Sequence, residues 1–231
     1  LICFDLDGTL TQHKTQLTAA NRAVLDTLAK RYEIIMAGAG NCERIYRQMG
    51  EYPITILGNY GMAESRIVDG KFQIVREDKA QVDKKFFEKS CNYLRKKYGY
   101  TDFSGESLEY HESGMVTFGL LGTKAGKEAK LTFDPDKIKR RAMFPEVKEI
   151  FKDYSVFIGG TTSFDITPKQ YNKLDAVLRY AAEHGYSFDQ ILFVGDDFAD
   201  GGNDSQIRLG GMDYIRIDDY TRLPEKLEFL F

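Results

Sequence analysis

Along the first third of the chain, the hydrophobic residues alternate between two patterns, short continuous runs and helical spacing. Short apolar runs such as "LICFDL" and "IIMAG" are separated by segments in which apolar residues recur at helical spacing. This order of strands and helices is typical of βαβ units around a parallel sheet. Thr18 is a suitable N-cap for the first helix, and Asp69-Gly70 between two alternating runs predicts a hairpin that adds antiparallel strands to the sheet.

The pattern changes between Ala80 and Pro168. An amphipathic helical segment is followed by alternating, strand-like runs and by "PDKIKRRAMFPEVKEIFKDY", which predicts a broken helix. The earlier rhythm then resumes with a helix in "NKLDAVLRYAAEHG" and a strand in "QILFVG". We therefore predict an α/β fold: a Rossmann-like parallel-sheet core formed by residues 1–79 and 169–231, with an α+β domain inserted at residues 80–168.

Composition narrows the classes of function. Lys and Arg total 32 against 35 Asp and Glu, a formal charge of −3 that argues against nucleic acid and anionic membranes as partners. The three cysteines are scattered without the C-x-x-C spacing of a zinc or redox site, which favours a reducing compartment. No apolar stretch approaches the roughly 20 residues of a membrane span. We expect a cytoplasmic protein without a leader peptide, from which a few native residues, including the first Met, have been trimmed.

Two carboxylates stand at the end of the first predicted strand, in "FDLDGTL". Asp5 and Asp7 are separated by one residue, so strand alternation predicts that they project to the same side, and Gly8 allows a sharp turn after them. Their repulsion is relieved by a hard cation such as Mg²⁺, which also attracts phosphate. An aspartate can act as a nucleophile while its neighbour moves protons. Ordinary turn chemistry after a strand explains D-x-D-G equally well, whereas the position of the glycine excludes an EF-hand loop.

A second acidic cluster, "VGDDFADGGNDSQ", follows the predicted strand "QILFV". Asp196, Asp197, Asp200 and Asp204 fall within nine residues, which is too much like charge to leave without a cation near a sheet end. A solvated acidic loop is the alternative, and the absence of a following G-K-[ST] excludes a P-loop. Because both clusters stand at strand ends of one sheet, where open α/β sheets bind ligands, a shared site is the better interpretation.

These residues resemble the haloacid dehalogenase superfamily of phosphotransferases, whose first motif is D-x-D-G-T and whose last is an acidic loop beginning G-D. "DLDGT" and "GDDFADGGND" match both motifs. "GMVTFGLLG", "SFDITP", Lys173 and "GGNDSQI" follow in the order of the eukaryotic-type phosphomannomutase family, which carries an α+β cap inserted after the third core segment. The resemblance covers nearly the whole chain and implies a core with a cap domain.

The resemblance implies a role for each core residue. Asp5 corresponds to the nucleophile that takes the phosphoryl group, and Asp7 to the general acid and base. Lys173 corresponds to the lysine that neutralises the phosphoryl group and the nucleophile, although by position alone it is equally a hydrated lysine at a helix start. At the end of the second strand, the superfamily usually has a Ser or Thr whose hydroxyl binds the transferring phosphoryl group. The corresponding residue in this chain is Ala39 or Gly40.

The family also binds Mg²⁺. The ligands implied are a carboxylate oxygen of Asp5, the backbone carbonyl of Asp7 and the side chain of Asp196, with Asp204 and Asp197 in supporting roles. Where the hydroxyl is missing, backbone N–H groups of Gly40 and Asn41 at a helix start would bind the phosphate instead. Asn41 is equally a plain helix cap.

The cap implied by the resemblance would select the sugar. Ser163 and Asp165 match cap residues that contact a distal phosphate or sugar hydroxyls, although alone they are one polar face of an alternating strand. The arginines that the family places around a second phosphate correspond here to Lys14, His111, Thr123 or Lys124, and Lys130. Lysine lacks the bidentate fork of arginine, and His111 is equally a strand histidine without a ligand.

The function that these features favour is phosphotransfer on hexose phosphates through an aspartyl-phosphate, as in conversion of mannose 6-phosphate to mannose 1-phosphate. A sugar-phosphate phosphatase is the alternative, because an inserted cap suits both activities. A non-catalytic sugar-phosphate binding module is a remote alternative, because such a module would be expected to lack Asp5, Asp7 or Asp196, and all three are present. A dinucleotide-binding domain is disfavoured because no G-x-G-x-x-G follows the first strand. The expected partners are a phosphorylated hexose and a second copy of the chain bound through the cap.

Overall fold

The computed structural model describes residues 1–231 and divides them into two compact units. Unit 1 comprises residues 1–78, 172–199 and 204–231, and unit 2 comprises residues 79–171 and 200–203. The sequence placed the insertion at residues 80–168. Residues 200–203, which the sequence assigned to the acidic loop of the core, belong to unit 2, where Ile158 N donates to Gly201 O at 2.7 Å.

The predicted strands and helices follow each other in the expected order, and the structure adds short helices at residues 127–133, 205–209 and 223–227. Unit 1 begins with β1 (Ile2–Phe4), α1 (Ala19–Leu28), β2 (Ile34–Ala37), α2 (Cys42–Gln48), β3 (Thr55–Gly58), β4 (Ala63–Val68) and β5 (Lys71–Glu77). Unit 2 contains α3 (Lys84–Tyr98), β6 (Leu108–Tyr110), β7 (Val116–Gly119), α4 (Lys127–Phe133), α5 (Ile138–Ile150), β8 (Tyr154–Gly159) and β9 (Ser163–Pro168). Unit 1 resumes with α6 (Lys173–Glu183), β10 (Leu192–Gly195), α7 (Ser205–Leu209), β11 (Asp213–Arg216) and α8 (Leu223–Leu227).

Unit 1 is built on a seven-stranded sheet of order β11-β10-β1-β2-β3-β4-β5. The pairs from β11 to β3 are parallel, and β3-β4 and β4-β5 are antiparallel. The hairpin turn between β4 and β5 places Asp69 at φ 50° and Gly70 at φ 73°, the backbone that an Asp-Gly turn favours. The predicted parallel-sheet α/β fold with an antiparallel extension is confirmed.

Helices cover both faces of this sheet, and β1 shows how its side chains divide between them. Ile2 and Phe4 pack in one apolar cluster with residues of α1 and α2, whereas Cys3 packs in a second cluster with residues of α6. This period of two is the alternation expected of a strand buried on both faces. No helix in the structure is long and apolar enough to cross a membrane.

Unit 2 has its own four-stranded antiparallel sheet, of order β6-β7-β9-β8. One face of this sheet packs against α3 and α5 in an apolar cluster that includes Phe87, Phe118 and Val147. The helix α5 continues through Pro145, so the prediction of a broken helix is wrong. Pro145 lies on the exposed side of the helix, while Met143 and Val147 lie on the buried side.

Candidate active site

The site forms where β1 and β10 end side by side. Phe4 pairs with Val194, and Asp5 N donates to Val194 O at 2.8 Å, so the chain leaves both strands at the same edge of the sheet. The two acidic segments from opposite ends of the sequence therefore meet. Carboxylate oxygens of Asp5, Asp196 and Asp204 lie within 4.8 Å of one another.

Lys173 joins two of these carboxylates. It is the first residue of α6, is fully buried, and donates from Nζ to Asp5 Oδ1 and to Asp204 Oδ1, both at 2.6 Å. Burial would lower the pKa of Lys173, but the charges of Asp204 and Asp5 outweigh it and hold the pKa above the ordinary lysine value. The interpretation of Lys173 as a hydrated helix-start lysine is therefore wrong.

Asp5 keeps one carboxylate oxygen without a protein partner. Its Oδ1 accepts from Lys173, whereas its buried Oδ2 makes no hydrogen bond. Burial raises the pKa of Asp5 to about 6, Lys173 opposes this rise, and the charge of Asp204 adds to it. A buried oxygen of this kind is costly unless a cation or another polar ligand reaches it.

Both carboxylate oxygens of Asp204 accept hydrogen bonds from the protein. Its Oδ1 accepts from Lys173, and its Oδ2 accepts from the backbone N–H groups of Asp196 and Asp197, at 3.1 Å each. A Cβ on Gly195 would lie 2.5 Å from Asp204 Oδ2, so the loop closes over this carboxylate only with glycine there. This arrangement favours a supporting role, in which Asp204 positions the loop that carries Asp196.

Gly8 brings the D-x-D-G segment close to Asp196. Its φ of +97° lies in the left-handed region, and a Cβ there would lie 2.5 Å from Asp196 Oδ2. Thr9 Oγ1 lies 3.5 Å from Asp196 Oδ1. The glycine predicted as a turn residue is thus also required for the close approach of the second acidic segment.

Asp7 does not share the partners of Asp5, contrary to the prediction that both side chains project to one side. The strand ends at Phe4, so alternation does not extend to Asp7. Asp5 accepts a hydrogen bond from Lys173 of α6, whereas Asp7 accepts one from Gln48 of α2. These two helices pack on opposite faces of the sheet. The two carboxylates therefore have separate hydrogen-bond networks.

Four groups surround the Asp7 carboxylate. Its Oδ1 accepts from Lys14 N and Gln48 Nε2, both at 2.7 Å, and its Oδ2 lies 3.5 Å from Arg44 Nη1 and 3.9 Å from His13 Nδ1. Burial by itself would raise the pKa of Asp7, but these hydrogen bonds and nearby cations outweigh it and lower the pKa below its usual range.

Sequence reasoning missed Gln48 and Arg44. Gln48 is buried on the core-facing side of α2 with Cys42 and Ile45. A polar residue at an apolar position of a helix is a signal that could have identified Gln48. Arg44 lies half-exposed, and nothing in its spacing distinguishes it from a solvated arginine.

The segment before α2 caps that helix, which is the alternative that the sequence left open for Asn41. Asn41 is the N-cap of α2, because its side chain accepts from Arg44 N at 2.8 Å. Gly40 O accepts from Asn59 N at 2.8 Å. The space that a side chain at residue 40 would need is filled by the guanidinium of Arg44. Phosphate binding by the N–H groups of Gly40 and Asn41 stays a prediction.

In unit 2, Asp165 belongs to a polar row across the sheet. Its Oδ1 accepts from Thr117 Oγ1 at 3.1 Å, and Thr117 Oγ1 lies 3.1 Å from His111 Nε2. Two residues predicted near the sugar, Asp165 and His111, are thus linked through Thr117, a residue that the sequence did not single out.

The other predicted cap residues serve local structure. Ser163 Oγ donates to Gly159 O at 3.1 Å, and Lys130 Nζ donates to Thr123 O at 2.8 Å. Lys124 is exposed. Contact of these residues with a substrate stays a prediction.

The chain is similar in sequence to known proteins. A family model described as haloacid dehalogenase-like hydrolase matches residues 2–202. The phosphomannomutase of Spinacia oleracea is 28% identical over 217 residues, which cover 88% of this chain and 84% of that protein. The phosphomannomutase of Encephalitozoon cuniculi is 25% identical over 90% of this chain and 83% of that protein.

Solved structures show the same fold. A truncated IMP-nucleotidase of Plasmodium falciparum aligns with a TM-score of 0.71 at 16% identity, over 100% of this chain and 69% of that chain. A haloacid dehalogenase-like hydrolase of Bacteroides thetaiotaomicron aligns with a TM-score of 0.59 at 17% identity, over 100% of this chain and 98% of that chain. At these identities the likeness concerns the fold alone.

Proposed function

The chain belongs to the haloacid dehalogenase-like hydrolase family, a class of phosphoryl-transfer enzymes, and we propose that it is a Mg²⁺-dependent phosphotransferase of hexose phosphates. The observation that carries this proposal is the buried Asp5, held by Lys173 through one oxygen and without a protein partner at the other. The similarity to phosphomannomutases over about nine-tenths of the chain supports interconversion of mannose 6-phosphate and mannose 1-phosphate.

The first step forms an aspartyl-phosphate. The Asp5 carboxylate attacks phosphorus, the bond from phosphorus to the departing sugar oxygen breaks, and Asp7 gives that oxygen a proton. Lys173 offsets the negative charge of Asp5 and of the incoming phosphoryl group, because its pKa keeps it protonated.

The second step returns the phosphoryl group to an acceptor. Asp7 removes a proton from the accepting hydroxyl, whose oxygen attacks phosphorus and releases Asp5. The lowered pKa of Asp7 supports this role as a base, because it makes the carboxylate the prevailing form at neutral pH. The proton that Asp7 takes up here is the one that it gives to the departing oxygen when the next aspartyl-phosphate forms, so the two steps balance over a cycle. The acceptor is a sugar hydroxyl in a mutase and water in a phosphatase.

The acidic cluster fits a magnesium ion. Its side-chain donors are carboxylate oxygens, and Asp5 Oδ2 is buried without a partner. Asp5, Asp196 and the backbone carbonyl of Asp7 would hold the ion, with Asp204 fixing the loop. The ion supplies positive charge that stabilises the transferring phosphoryl group.

Magnesium is expected to stabilise the folded chain. At about 100 times its dissociation constant, Mg²⁺ should raise the free energy of unfolding by about 2.7 kcal/mol, since it binds only the folded cluster. Urea unfolding with and without Mg²⁺ measures this change. Asp196→Asn should remove it, and Asp213→Asn, at an exposed position on β11, should retain it. An equal Mg²⁺ effect in the Asp196→Asn variant would contradict the proposed ligand set.

A sugar-phosphate phosphatase is the second candidate. The matching family model is described as a hydrolase, and Lys14, Lys124 and Lys130 stand where the mutase family places arginines. A lysine-based site would hold a second phosphate less firmly than an arginine-based one.

One assay separates the two activities. Mannose 1-phosphate or glucose 1-phosphate is supplied with Mg²⁺ and a trace of hexose 1,6-bisphosphate, and hexose 6-phosphate and free phosphate are both quantified. Isomer without released phosphate supports the mutase, and released phosphate alone supports the phosphatase. If neither product forms, phosphotransfer on these hexoses is refuted.

The remaining site assignments follow from this proposal. Ser163, Asp165, Lys124 and Lys130 of unit 2 are proposed to contribute to recognition of the sugar. A cytoplasmic location and a homodimer formed through unit 2 also stay predictions.

A further inference from the structure

Gln48 presents its side-chain amide to the Asp7 carboxylate from the buried side of α2. It shares this side of the helix with Cys42 and Ile45, where the pattern of α2 favours an apolar residue. A buried amide costs free energy unless its N–H and C=O groups are hydrogen-bonded. The partners of Gln48 therefore indicate why a glutamine stands at this position.

The amide of Gln48 makes three hydrogen bonds. Its Nε2 donates to Asp7 Oδ1 at 2.7 Å and to Thr11 Oγ1 at 3.0 Å, and its Oε1 accepts from Arg44 Nη1 at 2.9 Å. Only one orientation of the amide satisfies these partners, because a rotation by half a turn would direct its oxygen to the carboxylate and its N–H groups to the guanidinium. The neighbours thus fix the amide as a donor to Asp7.

Thr11 connects this amide to the turn that carries Asp7. Its buried Oγ1 accepts from Gln48 and donates to Leu6 O at 3.4 Å. The turn is closed by Gly8 N, which donates to Thr11 O at 2.8 Å. Gln48 therefore holds both the Asp7 side chain and the end of the turn behind it.

The two oxygens of the Asp7 carboxylate have different surroundings. Oδ1 accepts two hydrogen bonds, from Lys14 N and Gln48 Nε2, both at 2.7 Å. The cations beside Oδ2 are farther away, with Arg44 Nη1 at 3.5 Å and His13 Nδ1 at 3.9 Å. Two donors occupy both lone pairs of a carboxylate oxygen, so Oδ2 is the oxygen that can give or take a proton.

We propose that Gln48 is a positioning residue for proton transfer by Asp7, because it holds Oδ1 and thereby directs Oδ2 to the sugar oxygen. When the aspartyl-phosphate forms, the Oδ2–H bond breaks and its proton joins the departing oxygen, which keeps the electron pair of its broken bond to phosphorus. In the return step Oδ2 takes a proton from the accepting hydroxyl. This inference rests on the proposed function and deepens it, since it assigns the proton to one atom of Asp7.

The dependence of the rate on the leaving group tests the proposal. A strongly basic leaving oxygen needs a proton as it departs, whereas 2,4-dinitrophenolate leaves without one. We compare kcat/KM, which reports the transition state of the first step, for phenyl phosphate and 2,4-dinitrophenyl phosphate with Mg²⁺. Gln48→Met should lower the value for phenyl phosphate by about 10²-fold, as a misplaced catalytic group does, and keep the other value within about threefold of wild type.

A second variant and a control locate the effect. Gln48→Asn keeps the amide but is one methylene shorter, so it does not reach Asp7, and we expect the same selective loss. Gln73→Met makes the methionine substitution at an exposed position on β5 and should keep both wild-type values. The retained value for 2,4-dinitrophenyl phosphate also shows that the Gln48 variants are folded.

An equal loss for both esters in the two Gln48 variants, or an unchanged value for phenyl phosphate, would overturn the proposal. The first result would mean that Gln48 supports the structure of the whole site, and the second that Asp7 needs no help from Gln48. Failure of the proposed function gives a different result. In that case the wild-type chain does not turn over hexose phosphates, while the contrast between the two esters in the Gln48 variants persists.

Discussion

Asp5→Asn is expected to lower the rate of phosphoryl transfer from hexose phosphates by at least about 10³-fold, because an amide cannot attack phosphorus. The fold should survive. Asparagine keeps the shape of aspartate and an oxygen that accepts a hydrogen bond from Lys173. It also removes the buried charge of Asp5, a carboxyl group whose pKa burial has already raised to about 6. Loss of rate with a retained fold would therefore report on chemistry.

The measurement is initial rate of product formation with Mg²⁺, together with urea unfolding of the same variant. Asp213→Asn makes the same chemical change at an exposed position on β11 and should keep the wild-type rate. If Asp5→Asn retained activity within about tenfold of wild type, Asp5 would not be the nucleophile.

Lys173→Met is expected to lower the free energy of unfolding by about 3–5 kcal/mol and to abolish turnover. Methionine approximates the length of lysine but removes the charge that Asp5 and Asp204 share, so two buried carboxylates lose their common cation. The loss of stability should be partly recovered when Asp204→Asn is added to Lys173→Met, because one buried charge is removed. Activity should not recover.

Urea unfolding of the single and double variants measures both effects, and Lys30→Met provides the same substitution at an exposed position. A loss below about 1 kcal/mol in Lys173→Met would show that the ion pairs contribute little net stability. An added loss of stability in the double variant would contradict the assignment of Lys173 as the shared counter-charge.

Much of the fold could be predicted because it depends on short-range chemistry. Thr18 caps α1 through Asn21 N, as expected of a threonine before an apolar helical pattern. Asp69-Gly70 forms its hairpin turn because both residues adopt positive φ. The continuity of α5 through Pro145 was not predictable, since it depends on which side of the helix faces solvent.

The candidate site was less predictable. Glycine and aspartate in "FDLDGTL" pointed to a turn with two carboxylates, but the sequence assigned both side chains to one side. The structure separates them, because β1 ends before Asp5 and two helices on opposite faces of the sheet supply their partners. Arg44 was missed because no local pattern distinguishes it from a solvated arginine, whereas Gln48 carried the signal of a polar residue at a core-facing position of α2.

The sequence by itself determined the strands and helices, the class of fold and the acidic segments at its two ends, because periodicity and turn chemistry act over a few neighbouring residues. Only the tertiary structure decided that Lys173 bridges Asp5 and Asp204, which lie 168 and 31 positions away from it. It also decided that Arg44 occupies the space above Gly40. Such contacts depend on strand order and on the face to which each helix packs, and no local pattern encodes either.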